Sequence, residues 1–327
     1  MTTVKTNKWS FFSDEPKEQI FDNGGAGNIN PDTVDLSYKK IISGKYKSET
    51  LSLLKVDDIV ISKSINETTF TLSVLDRGTN HTIVRIDVTK TFMDNGITEL
   101  NDFNGLLIAL GSVKDVLVLE INNEGFISAI VNKEEIKAKW FQVKNDLATN
   151  KQFNLLKPED QKSILTGGDE EYLTNFDIVK FLNEGYTLYS MLFCGYWRNY
   201  QLQETYVIGS KNKQSAMFKD QVIPINFNYK IKRCNLQSAT CQVEIQGVEE
   251  QSYNTIGLKK LYEEKYPFAK AEFDDYSYDY DVTLDTDTDT GLVKKLNTTV
   301  LEQAGSISMF MDCNIKILTD EKGHTTE

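Results

Sequence analysis

Apolar and polar residues alternate with a period of two along much of this sequence. The clearest runs are residues 82–89, 223–233 and 240–246, and a turn at 77–80 precedes the first of them. Successive side chains of a β-strand point to opposite faces, so this period predicts strands with one buried and one solvated face. One-sided burial is typical of antiparallel sheets. The chain is therefore predicted to be rich in antiparallel β-sheet.

The middle of the chain has a helical period instead. A set of apolar residues falls on one face of a helix that begins after Asn132, a predicted N-cap. These residues are Ile136, Trp140, Val143 and Leu147. Pro158 predicts the start of a second helical region, and Gly167 and Gly168 predict its end. The middle of the chain is therefore predicted to be a helical insert.

These patterns divide the sequence into five segments. They are an irregular N-terminal lead-in (1–33), a first β half (34–132), the helical insert (133–200), a second β half (201–318) and a frayed tail (319–327). The predicted fold class is α+β and β-rich, with antiparallel sheets in a half-barrel or a sandwich. The alternation around Val84 and Ile86 matches that around Cys241 and Val243. This match favours an internal duplication, and the alternative is that hairpins generally look alike.

Acidic residues are concentrated in one predicted strand. The chain has 48 acidic and 36 basic residues and a net charge of −12, which argues against nucleic acid and anionic membranes as main partners. Residues 271–290 hold eight acids and no base, so they carry most of that excess. Six of the acids share one strand face or its extension: Asp275, Asp279, Asp281, Asp285, Asp287 and Asp289.

A row of like charges repels itself, and a basic partner surface would relieve the repulsion. We therefore predict that this strand is an acidic docking edge for a partner protein with a basic surface. The spacing of Asp285, Asp287 and Asp289 is also that of the first calcium ligands in an EF-hand loop. Such a loop needs glycine at position 6 and glutamate at position 12, where this chain has Thr290 and Leu296. We predict no metal and no cofactor, and a looser surface calcium site stays an alternative.

Aromatic residues are dense between positions 186 and 200. They could line an apolar cavity between the sheet and the insert, or they could be ordinary core. In the cavity interpretation, four residues form the rim: Tyr189, Tyr196, Trp197 and Arg198.

Signals for catalysis, disulfides and export are weak. The two histidines, His81 and His324, lie in a predicted turn and in the tail, and neither a phosphate loop nor a metalloprotease motif occurs. The four cysteines lack metal-site spacing and are predicted to be reduced. No stretch is typical of a signal peptide or a transmembrane helix, so we expect a soluble, cytoplasmic protein.

Taken together, the sequence predicts a non-catalytic binding module of the adaptor, chaperone or immunity type, which docks a protein partner through its acidic strand. The alternative is a carrier that holds an apolar ligand between the sheet and the insert. We do not predict an enzyme, and no motif identifies a family or an oligomeric state.

Overall fold

The computed structural model describes residues 33–96, 101, 103–174, 178–202, 204–218, 221–235, 237–250, 255–269 and 271–320. The predicted lead-in lies outside the described residues except for Thr33. The predicted tail lies outside them beyond Asp320.

About half of the described residues belong to β-strands. The strands are β1 (Thr33–Asp35), β2 (Ser43–Val56), β3 (Ile59–Arg77), β4 (His81–Asp94), β5 (Val116–Asn122), β6 (Ile127–Ile130), β7 (Asn199–Gln201), β8 (Thr205–Gln214), β9 (Val222–Asn235), β10 (Thr240–Glu249), β11 (Tyr276–Asp287), β12 (Val293–Ala304) and β13 (Ile307–Asp320). Eleven of these strands form one antiparallel sheet in the order β6-β5-β4-β3-β2-β13-β12-β11-β10-β9-β8. The remaining two, β1 and β7, pair with each other. The predicted β-rich, antiparallel architecture is confirmed.

The two β halves meet edge to edge. Strand β2 of the first half pairs with β13 of the second, from Ile307 opposite Val56 to Asp320 opposite Gly44. A single sheet therefore runs through both halves, and they do not face each other as the two layers of a sandwich. Each half is a meander of consecutive strands. Any run of hairpins gives that order, so the duplication stays a prediction.

The helices lie mainly between β6 and β7. They are α1 (Asn104–Gly111), α2 (Lys133–Leu147), α3 (Lys151–Leu155), α4 (Pro158–Leu173), α5 (Ile178–Glu184), α6 (Leu188–Leu192) and α7 (Thr255–Lys265), with a short 3-10 helix at Ser112–Lys114. The four apolar residues predicted to share one face of α2 are all buried. Asn132 does precede this helix, but its side chain does not cap it. Instead it accepts a hydrogen bond from the amide of Val118 (2.8 Å) and donates to the carbonyl of Val116 (3.0 Å).

The predicted helix break at Gly167 and Gly168 is wrong, because α4 continues through both glycines to Leu173. Gly168 packs against the indole of Trp140 on α2, where a Cβ atom would overlap the ring. The same indole donates a hydrogen bond from Nε1 to Asp169 Oδ1 at 2.9 Å. The glycine thus permits close packing of two helices, and this role outweighs its low helix propensity.

The sheet has two unlike faces. We call the face covered by the helices the inner face; it carries buried side chains such as Phe70, Ile86, Val243 and Tyr278. We call the opposite face the outer face; Asp279 and Asp281 lie on it. Burial of the inner side chains against the helices removes a large apolar area from water, which is the main favourable term in folding. The hydroxyl of Tyr186, between α5 and α6, donates to the hydroxyl of Tyr278 at 3.1 Å and joins the insert to the sheet.

Candidate functional site

The acidic row lies on β11 and the turn that follows it. On the inner side of this strand, Tyr276, Tyr278, Tyr280, Val282 and Leu284 are all buried. The acids Asp279, Asp281, Asp285 and Asp287 alternate with them on the outer face. Asp275 precedes the strand and Asp289 lies in the turn, and both are exposed. The sequence alternation therefore predicts correctly which side chains of this strand are buried.

The row is not at an edge of the sheet. β11 pairs with β10 along one side and with β12 along the other, so its backbone hydrogen-bonding groups are used. The predicted docking edge is therefore wrong in this respect, and a partner would meet a face of carboxylates rather than a free strand. The sequence does not report strand order, because a central strand and an edge strand can alternate in the same way.

Asp285 and Asp287, at the end of the row nearest the turn, have partners within the chain. Asp285 accepts a hydrogen bond from the Gln242 amide at 2.7 Å. Asp287 lies 3.1 Å from the Lys294 ammonium and accepts hydrogen bonds from the backbone amides of Asp289 and Thr290. Burial opposes ionisation of Asp287, but Lys294 and these amides hold its pKa below the ordinary value. This end of the row therefore stabilises the turn after β11.

The other end of the row is less well neutralised. Asp279 is exposed, but partial burial beside the neighbouring strands still raises the pKa of its carboxyl group. The pKa of Asp281 is also raised, first by burial and then by the negative charges of Asp279 and Glu244, although a hydrogen bond with Gln246 opposes the shift. Like charges disfavour ionisation of a carboxyl group, so the repulsion inferred from the sequence is concentrated here.

A cavity of about 330 Å³ lies between the inner face and the insert, where the two β halves meet. One wall is polar: Ser48, Thr50 and Ser52 on β2 stand opposite Thr68, Asn66 and Ser64 on β3. Apolar side chains flank this polar wall on the same face of the sheet, because Met93 on β4 pairs with Asn66 and Met311 on β13 pairs with Ser52. The apolar side chains of the lining are Met93, Val300, Met309 and Met311 from the sheet and Leu188 and Met191 from α6. The cavity is therefore amphipathic, with hydroxyl and amide groups in the middle of its sheet side and flexible thioethers around them.

Glu302 on β12 is the carboxylate in this lining. Its side chain is 0% exposed. It accepts hydrogen bonds from the hydroxyls of Ser215 and Tyr276 and from the amides of Ala216 (2.8 Å) and Met217 (3.2 Å). Burial raises its pKa, and these hydrogen bonds act in the opposite direction. Since four donors occupy the carboxylate, its evident role is to hold the segment at 215–217 against β12.

The four predicted rim residues do not line this cavity. Tyr196 and Trp197 are 0% and 2% exposed, and Trp197 packs edge-on against Tyr38 with ring centroids 4.8 Å apart. Tyr189 is buried and donates its hydroxyl to a backbone carbonyl, that of Lys114, at 2.8 Å. The guanidinium of Arg198 lies 4.6 Å from the centre of the Tyr229 ring. Their neighbours Tyr186, Thr187, Leu188 and Met191 line the cavity instead.

Sequence reasoning missed the polar wall, although its signal is present. Ser48, Thr50 and Ser52 alternate along one predicted strand, and Ser64, Asn66 and Thr68 alternate along the next. Such hydroxyl and amide side chains alternate onto the buried face of both strands. They are unusual in a core, because buried polar groups need hydrogen-bond partners. The Oδ1 atom of Asn66 is buried without a hydrogen-bond partner among the described residues.

Within the described part of the chain, no helix combines the length and apolarity that membrane crossing requires. The cytoplasmic location stays a prediction.

No protein-family model matches the sequence, and no curated protein matches it. The chain is similar to a solved structure described as "Lipid-protein interactions in lipovitellin", with 7% sequence identity and a TM-score of 0.42. The similarity covers 89% of this chain and 26% of that one, so this chain spans about a quarter of the length of that protein.

Proposed function

We propose that the protein is a non-catalytic carrier that holds a small amphipathic molecule in the cavity between the inner face and the insert. The observation that carries this proposal is the cavity of about 330 Å³, whose polar wall is flanked by apolar side chains. Its volume falls in the range of small-molecule sites, roughly 300–1,000 Å³.

The lining defines the class of ligand. Hydroxyl and amide groups of Thr50 and Asn66 can hydrogen bond to the polar groups of a ligand, and the buried Oδ1 atom of Asn66 has no donor among the described residues. Met309 and Met311 on the neighbouring strand β13 offer flexible, polarisable contacts to its apolar parts. A small ligand that combines hydroxyl or amine groups with a hydrocarbon part satisfies both kinds of side chain.

The chemistry of the lining favours holding a ligand over transforming it. A general acid or base must be able to exchange a proton with its substrate. Glu302 is buried and its oxygens already accept hydrogen bonds from Ser215, Tyr276 and two backbone amides. The tyrosine of the lining, Tyr186, is committed to Tyr278, and burial raises its pKa well above the ordinary value.

The test is to fill the cavity. Met309 lines it, whereas Ser308 is the preceding residue of the same strand and points to the outer face. N-phenyl-1-naphthylamine, an amphipathic fluorophore, should bind the unmodified protein with a rise in emission. Met309→Trp should weaken its binding by at least about tenfold, and the matched control Ser308→Trp should leave it unchanged. Equal binding by the two variants would place the fluorophore elsewhere and contradict the proposal.

A second candidate function is the docking of a basic protein on the acidic outer face. It is supported by the raised pKa values of Asp279 and Asp281, since a cationic partner would relieve that repulsion. Asp287 is neutralised by Lys294, which holds its pKa below the ordinary value, so this end of the row should contribute less. Binding of an oligolysine peptide should be salt-sensitive and should weaken more for Asp279→Asn with Asp281→Asn than for Asp285→Asn with Asp287→Asn. An equal effect of both pairs would exclude a localised site.

A further inference from the structure

A second cavity, of about 190 Å³, lies between the insert and the second β half. The hairpin of β5 and β6, the end of α5, and strands β8, β9 and β11 contribute to its lining. Much of its wall is aromatic: Phe126, Phe193, Phe227, Tyr229 and Tyr280. This volume is below the range of drug-sized ligands, roughly 300–1,000 Å³, and suits a single-ring molecule.

Lys213 of β8 brings an ammonium group into this aromatic lining. Its side chain belongs to a residue only 7% exposed, and Nζ donates one hydrogen bond, to the backbone carbonyl of Asn183 at 2.8 Å. Within the described part of the chain no carboxylate forms a salt bridge with it; Glu184 of the same lining acts on it only at longer range. Burial lowers the pKa of Lys213 to about 8, although the neighbouring Cys194 and Glu184 oppose the shift.

An ammonium group has three N–H donors, so one hydrogen bond leaves two without a partner. A buried charge that lacks a counterion is costly to the folded state. An anionic group in the cavity would offset that cost and accept the remaining hydrogen bonds.

Tyr280 of β11 supplies a second unsatisfied donor. Its residue is 3% exposed, and its hydroxyl has no hydrogen-bond partner among the described residues. The ammonium of Lys213 lies 5.6 Å from the centre of its ring. Buried hydroxyl groups nearly always find a partner, and an unpartnered one beside a cavity indicates a missing ligand or water.

A second cation extends the positive character of the lining. The ammonium of Lys211, two residues before Lys213 on β8, lies 4.9 Å from the centre of the Phe126 ring. Two lysines against the single carboxylate of Glu184 give this cavity a net positive charge, in a protein whose overall charge is −12.

We infer that this cavity binds a small monocarboxylate. Its carboxylate accepts hydrogen bonds from the ammonium of Lys213 and the hydroxyl of Tyr280, and its ring or short hydrocarbon lies among the phenylalanine side chains. A carboxylate matches the observations better than a neutral ligand does, because it supplies both the negative charge and the two acceptors that the lining lacks. This site is separate from the cavity proposed above to hold the carried molecule.

Isothermal titration calorimetry with benzoate tests the inference, and benzyl alcohol serves as the neutral probe of similar shape. The unmodified protein should bind benzoate at least about tenfold more tightly than benzyl alcohol. Lys213→Met should weaken benzoate binding by about tenfold or more, whereas Lys230→Met, on the outer face of β9, should leave it unchanged. Equal affinities for the two probes, or no benzoate binding at millimolar concentration, would overturn the inference.

Removal of a buried lysine could impair folding, so a conservative variant is also needed. Tyr280→Phe removes only the unpartnered hydroxyl, and it should weaken benzoate binding by roughly three- to tenfold with little change in stability. Met309→Trp should leave benzoate binding intact, which separates this site from the larger cavity. Unchanged benzoate affinity in Tyr280→Phe, with the protein folded, would contradict the role assigned to its hydroxyl.

Discussion

The two faces of β11 and β12 carry polar groups under opposite conditions. On the inner face, Tyr278 and Glu302 are fully buried, and each is hydrogen bonded to a segment far away in the sequence. On the outer face, Asp279 and Asp281 reach solvent and repel their neighbours. Removing the partner of a buried polar group costs the folded state free energy, because that group is left without a hydrogen bond. Removing an exposed charge changes the free energy of unfolding little. The inner polar groups should therefore determine stability and shape the cavity, and the outer ones should be free to meet a partner.

The largest expected effect is at Glu302. Glu302→Ala leaves the donors of Ser215, Tyr276 and the segment at 215–217 without their acceptor, so it should lower the free energy of unfolding by about 3–5 kcal/mol. On the outer face, Asp281→Ala should change it by less than about 0.5 kcal/mol. Urea unfolding of both variants measures the difference. If both variants lose a similar free energy of unfolding, the two faces do not differ in their contribution to stability and this expectation is wrong.

A smaller effect is expected at Tyr278. Tyr278→Phe removes the acceptor of the Tyr186 hydroxyl and should cost about 1 kcal/mol, because a buried donor loses its partner. Thr283→Val, on the outer face of the same strand, is the matched control and should be nearly neutral. Urea unfolding measures the free energy of unfolding of both variants. If Thr283→Val lowers it as much as Tyr278→Phe does, the loss would not depend on the inner face and the expectation would be wrong.

The smallest effect is a pH dependence on the outer face. Carboxyl groups with raised pKa, such as Asp279 and Asp281, contribute stability that is fully present below the ordinary value of 3.8 and is lost as pH rises through their folded pKa. Asp287 has the opposite sign, and its contribution is lost as pH falls through its lowered pKa.

Relative to the variant with Asp279→Asn and Asp281→Asn, the unmodified protein should therefore gain stability as the pH falls from about 7 to about 4, close to the ordinary carboxyl value of 3.8. The gain should stay below about 1 kcal/mol, since solvent screens exposed charges. Thermal unfolding at both pH values measures it, and a relative loss of stability on acidification would show that the sign is wrong.

The local features of the fold could be predicted from the sequence. The alternation at 276–284 gave the buried and exposed sides of β11 correctly, and the spacing of Ile136 and Trp140 gave the buried face of α2. These patterns depend only on the period of one element and on which of its sides is apolar.

Features that depend on distant contacts could not be predicted in this way. Gly168 was expected to end a helix, but contact with Trp140, 28 positions earlier in the sequence, keeps it within α4. Glu302 was not a candidate at all, because its donors lie 86 and 85 positions away at Ala216 and Met217. The position of β11 inside the sheet follows from strand order, which alternation does not encode.

If the larger cavity holds a ligand, the purified protein should carry it. Native mass spectrometry before and after extraction with organic solvent detects such a ligand. We expect a bound small molecule that extraction removes, that Ser308→Trp retains and that Met309→Trp lacks. A mass equal to that of the bare chain for the unmodified protein, together with no binding of N-phenyl-1-naphthylamine, would contradict the proposed carrier function.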